Sequence, residues 1–162
     1  MGNYQKKCQS DFWEQVFEEE AQYLAKELQG KNDILSVGCG PAIIEQKLSN
    51  FGYSVTGLDV SAEALDGSPD SIRTKVGTAE NMDFPDKTFD AVIYVASIQF
   101  MGDVEKAIKE GYRVLRTGGK IIAMLLNPES GFVRGRLEDD GSYMQKMKCK
   151  GIPGRDRIEL II

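Results

Sequence analysis

The sequence predicts a doubly wound α/β fold: a mostly parallel sheet with helices on both faces. Two observations lead there. The runs Ile34–Val37, Phe89–Val95 and Lys120–Leu126 are apolar on both faces, as strands buried from both sides are, and they alternate with segments of helical period. The first run breaks at Gly38-Cys39-Gly40-Pro41, and a helical pattern follows with Ile43, Ile44, Lys47 and Leu48. A Gly-rich turn between a strand and a helix N-terminus lets a ligand lie against bare backbone with amide N–H groups facing it.

In chain order, Phe12 to Leu28 has apolar residues at amphipathic spacing and predicts a helix, with Ser10 or Asp11 as its cap and Gly30 as its stop. The opening strand, turn and helix follow, to about Asn50, and Phe51-Gly52-Tyr53 turns the chain. Ser54 to Val60 is β-branched and apolar and predicts a strand carrying Asp59 at its end. Ser61 then caps a helix that Asp66-Gly67-Ser68-Pro69 stops early. Ile72 to Val76 predicts a short strand, and Gly77 to Asp86 a loop. After the strand Phe89–Val95 comes a helix from Asp103 to Leu115, then a tight turn at Thr117-Gly118-Gly119, a buried strand Lys120–Leu126, and a stop at Asn127-Pro128. Glycines interrupt the pattern after that.

A length of 162 residues predicts a single domain: a helical cap over about 1–30, a core over about 33–126 and an irregular tail over 127–162. No window approaches the roughly 18 apolar residues of a membrane span, and the N-terminus lacks the apolar core of a signal peptide. The three cysteines, Cys8, Cys39 and Cys149, are far apart, which fits a reducing cytoplasm. Net charge is -5, so nucleic acid has no global electrostatic attraction to the chain. The stretch from Arg134 to Arg157 is locally basic, a solvated face or a contact for an acidic group. There is no histidine, which excludes Ser-His-Asp and Cys-His catalysis, His-ligated metals and imidazole acid–base chemistry. No metal site is expected. The chain ends on apolar Leu160-Ile161-Ile162, where an end is usually polar, and this predicts a continuation.

The dinucleotide fingerprint needs Gly at its first, third and sixth positions. Counted from Gly38, the sixth is Ile43, whose branched side chain would hold the helix away from a pyrophosphate. Asp59 ends the neighbouring strand, beside the turn in a parallel sheet, where a carboxylate can accept two hydrogen bonds from a ribose diol. Alternatively it caps the segment after it. Turn and acid together point to a ligand with an adenosine-type ribose.

From about Asp33 to Leu126 the chain resembles the class I S-adenosylmethionine-dependent methyltransferases of small-molecule type, a Rossmann-like family. Ile34-Leu35-Ser36-Val37-Gly38-Cys39-Gly40 resembles the family's first motif, and Gly57-Leu58-Asp59-Val60-Ser61 its ribose-binding motif. Ala79 to Asp90 and Arg113 to Gly119 resemble later landmarks. The resemblance implies that the backbone of Gly38, Cys39 and Gly40 flanks the methionine part of S-adenosyl-L-methionine. Asp59 would hold the ribose hydroxyls and Val60 would pack on the adenine. Ala79 and Glu80 would lie at the adenine edge with a backbone N–H as donor, and the strand end at Tyr94 and Val95 would face the methionine ammonium. Tyr4, Phe12 and Trp13 are candidates to cover the cofactor, although core packing also explains Phe12 and Trp13. The full family fold has seven strands, the last two an antiparallel hairpin. The residues after Leu126 predict that these C-terminal strands are truncated or absent, leaving an apolar edge for the tail or a second copy to cover.

Four positions depart from the pattern. Ser36 stands where the family carries an acid that orders the methionine end. Ala42 replaces the third motif glycine. Thr78 stands where an Asp often meets the adenine amino group. Gln99-Phe100 stands where a His pair is common, so a histidine base is absent. Methyl transfer tolerates that loss, because the sulfonium is already activated and the protein mainly aligns the nucleophile. Gln99 is a candidate to orient substrate. Cys39 is either a nucleophile or a small residue that permits close packing. No catalytic residue is assigned. The expected function is in-line methyl transfer from S-adenosyl-L-methionine to a small-molecule acceptor, releasing S-adenosyl-L-homocysteine, by a cytoplasmic monomer or homodimer that engages neither nucleic acid nor membrane. A non-catalytic domain binding S-adenosylmethionine and a nicotinamide-dependent oxidoreductase are the alternatives.

Overall fold

A computed structural model describes residues 11–127 and 134–135. The expectations for Tyr4, Cys8, Ser10, Cys149, the basic tail past residue 135 and any last strand lie outside the described residues. Helix α1 spans Asp11–Glu27, and Gly30, at φ 77°, ends the chain's exit from it. Strand β1 (Asp33–Val37) leads through the Gly-rich turn into α2 (Ile43–Asn50). Next come β2 (Ser54–Asp59), the single-turn α3 (Ala62–Leu65) and β3 (Arg73–Val76). Strand β4 (Phe89–Val95), a 3-10 turn at Ile98–Phe100, α4 (Val104–Val114) and β5 (Leu115–Met124) complete the described elements. The strands lie in the order β3-β2-β1-β4-β5, and all four pairings are parallel. The expected doubly wound sheet is therefore present, and the carboxyl ends of all its strands share one edge.

Side chains alternate across the sheet, and the two faces bury separate clusters. On one face, Phe17 and Leu24 of α1, Leu28 just after it, and Ile44 and Leu48 of α2 pack on Ile34, Val55, Ala91 and Ile93. On the other, Ala107 and Val114 of α4 pack with Leu35, Val37, Leu58, Val92 and Tyr94. Trp13 joins the first cluster and stacks on Phe17 at 5.7 Å, so core packing accounts for it, whereas Phe12 is exposed. Gly111, within the apolar stripe of α4, lies over the Tyr94 hydroxyl, which a Cβ there would approach to 2.7 Å.

Two expectations need correction. Thr117-Gly118-Gly119 does not precede the last described strand but bulges within it: Phe89 faces Leu115, while Ala91 already faces Lys120. The bulge works because Gly118 adopts φ 77° and a Cβ on Gly119 would come to 2.8 Å from the Arg116 carbonyl oxygen. β5 also stops at Met124, short of Leu126, and its segment Ile121–Met124 is half-buried, because β5 forms an edge of the described sheet. At the amino edge, Asp90 clamps β1 to β4. It accepts from the Asn32 and Asp33 amides at 3.0 Å and from Arg116 at 2.8 Å, which hold its carboxyl down at about 2.

Candidate functional site

The site forms where β1, β2, β3 and β4 end. Gly38 follows β1 at φ 77°. A Cβ there would lie 2.5 Å from the Ser97 Cβ, so only glycine lets the loop after β4 close onto the turn. Ser97 locks that closure, its hydroxyl donating to the Val37 carbonyl at 2.6 Å. The amides of Gly38 and Cys39 both donate to the Leu58 carbonyl, at 2.7 and 3.2 Å, and bind the turn to β2.

Asp59 ties the turn from the other side. One carboxylate oxygen accepts the Gly40 N–H at 2.8 Å and the other accepts the Ser61 N–H at 2.9 Å. A carboxylate offers about four acceptor positions, so two remain for a diol. The alternative role, capping the next helix, belongs to Ser61, whose hydroxyl accepts from Ala64 N–H at 3.2 Å. Val60 is 72% exposed at this edge, an apolar surface next to Asp59. The Asp59 carbonyl accepts from Gly77, which brings the loop carrying Ala79 and Glu80 to the same edge. Ala79 is buried. The Glu80 carboxylate is engaged by the amides of Gly102 and Asp103, at 3.0 and 3.3 Å, and so braces the loop ahead of α4. Arg113 anchors the same loop from α4 through Glu110, Asp86 and the carbonyls of Met82 and Phe84.

Val95 ends β4 beside the turn and packs with the α1/α2 cluster. The Tyr94 side chain points away from the edge, into the core, and donates to the Ala107 carbonyl at 2.9 Å; burial raises its phenol well above the usual range. The Gln99 side-chain oxygen accepts the Leu126 amide at 3.1 Å and holds the chain after β5. Asp103 caps α4 through Lys106 N–H at 2.9 Å.

Cys39 is seated against the neighbouring strand. Its sulfur lies over Gly57, where a Cβ would approach it to 2.5 Å. Burial, then the carboxyls of Glu45 and Asp59, push the thiol far above the usual range, which favours the packing reading over the nucleophile. Ala42 caps α2 in the left-handed region at φ 56°, the conformation that the replaced glycine would adopt without strain. Glu45 is the residue that sequence reasoning missed. It is 2% exposed beneath the turn, and Ser36 donates to it at 2.5 Å. Its legible signal was position: an acid three residues before Leu48, at core spacing on α2.

A family profile described as "Methyltransferase domain" matches residues 35–123. This chain belongs to that family. The match falls within the stretch that carries the motif resemblance and bears it out. The methyltransferase domain is 33% identical over 117 residues to the malonyl-[acyl-carrier protein] O-methyltransferase of Erwinia billingiae, covering 70% of this chain and 45% of that protein. It is 26% identical over 106 residues to the demethylmenaquinone methyltransferase of Tropheryma whipplei strain Twist, covering 62% and 44%. Among solved structures, the PH0226 protein of Pyrococcus horikoshii OT3 superposes with a TM-score of 0.72 at 26% identity, covering 80% of this chain and 62% of that one. The chain thus spans less than half the length of these curated relatives.

Proposed function

We propose that this methyltransferase domain binds S-adenosyl-L-methionine and directs its methyl group to a small-molecule acceptor. The observation that supports this most is the bond between Gly40 N–H and the Asp59 carboxylate, which joins the Gly-rich turn and a ribose-binding acid into one ligand edge. In this reading Gly38, Cys39 and Gly40 present backbone to the methionine part. Asp59 takes the ribose hydroxyls on its free lone pairs, and Val60 covers the adenine. With the Glu80 carboxylate committed to Gly102 and Asp103, the Ala79–Glu80 backbone is what meets the adenine edge. Val95 closes the methionine side. The two curated relatives act, by their names, on malonyl-[acyl-carrier protein] and demethylmenaquinone, and this favours a small acceptor group here.

The cofactor supplies a methyl group on an activated sulfonium, so the chain's work is alignment and exclusion of water. Two side chains support this: burial raises the Cys39 thiol well above its usual range, and the Gln99 side-chain oxygen accepts the Leu126 amide. No helix among the described residues is long and apolar enough to cross a membrane. We place the protein in the cytoplasm, as a monomer or homodimer without nucleic acid, in one domain with a helical cap over about 1–30. A thermal-shift panel of S-adenosylmethionine, S-adenosylhomocysteine and NAD tests the reading. The first two are expected to stabilise the protein and NAD to leave it unchanged; stabilisation by NAD alone refutes it.

A further inference from the structure

Among the described residues, no positive charge balances the Glu45 carboxyl group. It projects from the first turn of α2 toward β1, on the face that also receives Ser36, Gly57 and Asp59 by strand alternation. One oxygen accepts from Ser36, and the other, Oε2, is buried without a hydrogen-bond partner. No Lys or Arg pairs with it among the described residues. The ionisable groups facing it are the Cys39 thiol and the Asp59 carboxyl, and neither brings positive charge. An orphaned buried acid under a ligand-binding turn costs stability, and a core built for packing alone would hold an apolar residue there.

We propose that Glu45, held through Ser36, is the acid that reads the positively charged methionine end of the cofactor from beneath the turn. This rests on the proposed cofactor, and it supplies from α2 the charge that Ser36 does not supply from β1. Glu45 is a positioning residue: its carboxylate acts across the Gly38–Gly40 backbone by its field and by fixing Ser36. A ligand of net charge +1 above the turn favours the ionised form, so binding releases a proton from Glu45 to solvent.

The test compares S-adenosylmethionine with 5′-methylthioadenosine, which keeps the nucleoside and lacks the charged end, by calorimetry. Glu45→Gln is expected to weaken S-adenosylmethionine roughly tenfold or more, the scale of a charge pair across a few ångströms of protein. Binding of methylthioadenosine should change less than about twofold, since a neutral ligand gains little from the charge. In the wild type near pH 6.5, where the ligand's own ammonium stays charged, heats in buffers of different ionisation enthalpy should show proton release with S-adenosylmethionine and none with methylthioadenosine. This arm needs no variant and stands if Glu45→Gln does not fold. Equal weakening of both ligands, or wild-type binding without differential proton release, overturns the role of Glu45 and leaves the cofactor in place. Failure of the wild type to bind either ligand removes both.

Discussion

Glu45 makes the stability of the free protein depend on pH in an unusual direction. Burial pushes its carboxyl up to about 7 from an ordinary 4.5, against the lowering effect of the Ser36 hydroxyl. Between those values the folded state keeps a proton that the unfolded chain has lost. Stability therefore falls as pH rises from about 4.5 to about 7, and is flat above, where both states are ionised. At about 1.4 kcal/mol per pH unit the loss is about 3 kcal/mol, a large share of a small domain's 5–15.

Urea unfolding of the wild type and Glu45→Gln, from pH 5 to 8.5, isolates the effect. Glutamine introduces a buried amide with its own cost, but that cost does not titrate and only offsets the curve. The wild-type curve should drop relative to the variant by about 2.5 kcal/mol between about pH 5 and pH 8 and run parallel above that. Parallel curves over the whole range would refute the placement of Glu45 as a buried, unpaired acid.

Asp59→Ala should weaken S-adenosylmethionine by about 1–3 kcal/mol, the value of a hydrogen bond to a charged group, and unchanged affinity by calorimetry would sink the ribose assignment. Gly57→Ala should destabilise by about 1–3 kcal/mol, because its Cβ meets the Cys39 sulfur at 2.5 Å. Adding Cys39→Ala should recover part of that loss, and additivity within about 0.5 kcal/mol in unfolding free energy would show that the two do not touch. Asp90 has the opposite sign to Glu45. Held down at about 2, chiefly by the Asp33 amide and then by Arg116, it stabilises above its ordinary 3.8 and loses that contribution as pH falls through about 2. Asp90→Asn should flatten that acid limb in a circular-dichroism titration.

The strands, the Gly-rich turn and the Ser61 cap were legible because each is set by local sequence. Doubly buried strands read as apolar runs, and caps need only a side-chain oxygen beside an N–H. What escaped depends on neighbours far along the chain. Thr117-Gly118-Gly119 reads as a reversal, yet the pairing of β5 with β4 absorbs it as a bulge. The seat of Cys39 on Gly57 follows from the register that sets Ser36 opposite Gly57, and composition does not show register. For Asp59 the sequence leaves ribose acceptor and cap of the next segment as alternatives, and does not show that half its capacity holds Gly40 and Ser61. Glu45 escaped because periodicity treats an acid as outward-facing, and here the tertiary site overrides it.

Ser36 and Glu45 then make sense only as a unit. A carboxylate at 36 would point to the same face and meet the one at 45, and two buried acids within bonding distance cannot both ionise. The site has room for one. On α2 that acid gains the unpaired amides of a helix N-terminus, which favour negative charge by up to about 1–2 kcal/mol; β1 offers no such field. The arrangement predicts a swap. Ser36→Asp alone should destabilise by more than about 2 kcal/mol near pH 7.5, because it adds a second unpaired buried acid. Combined with Glu45→Gln, the new carboxylate receives the glutamine amide as a donor, and most of the loss should return. The coupling in a double-mutant cycle of unfolding free energies should exceed about 1.5 kcal/mol. If Ser36→Asp costs the same in both backgrounds, the two side chains do not share one site, and the acid beneath the turn is not interchangeable between β1 and α2.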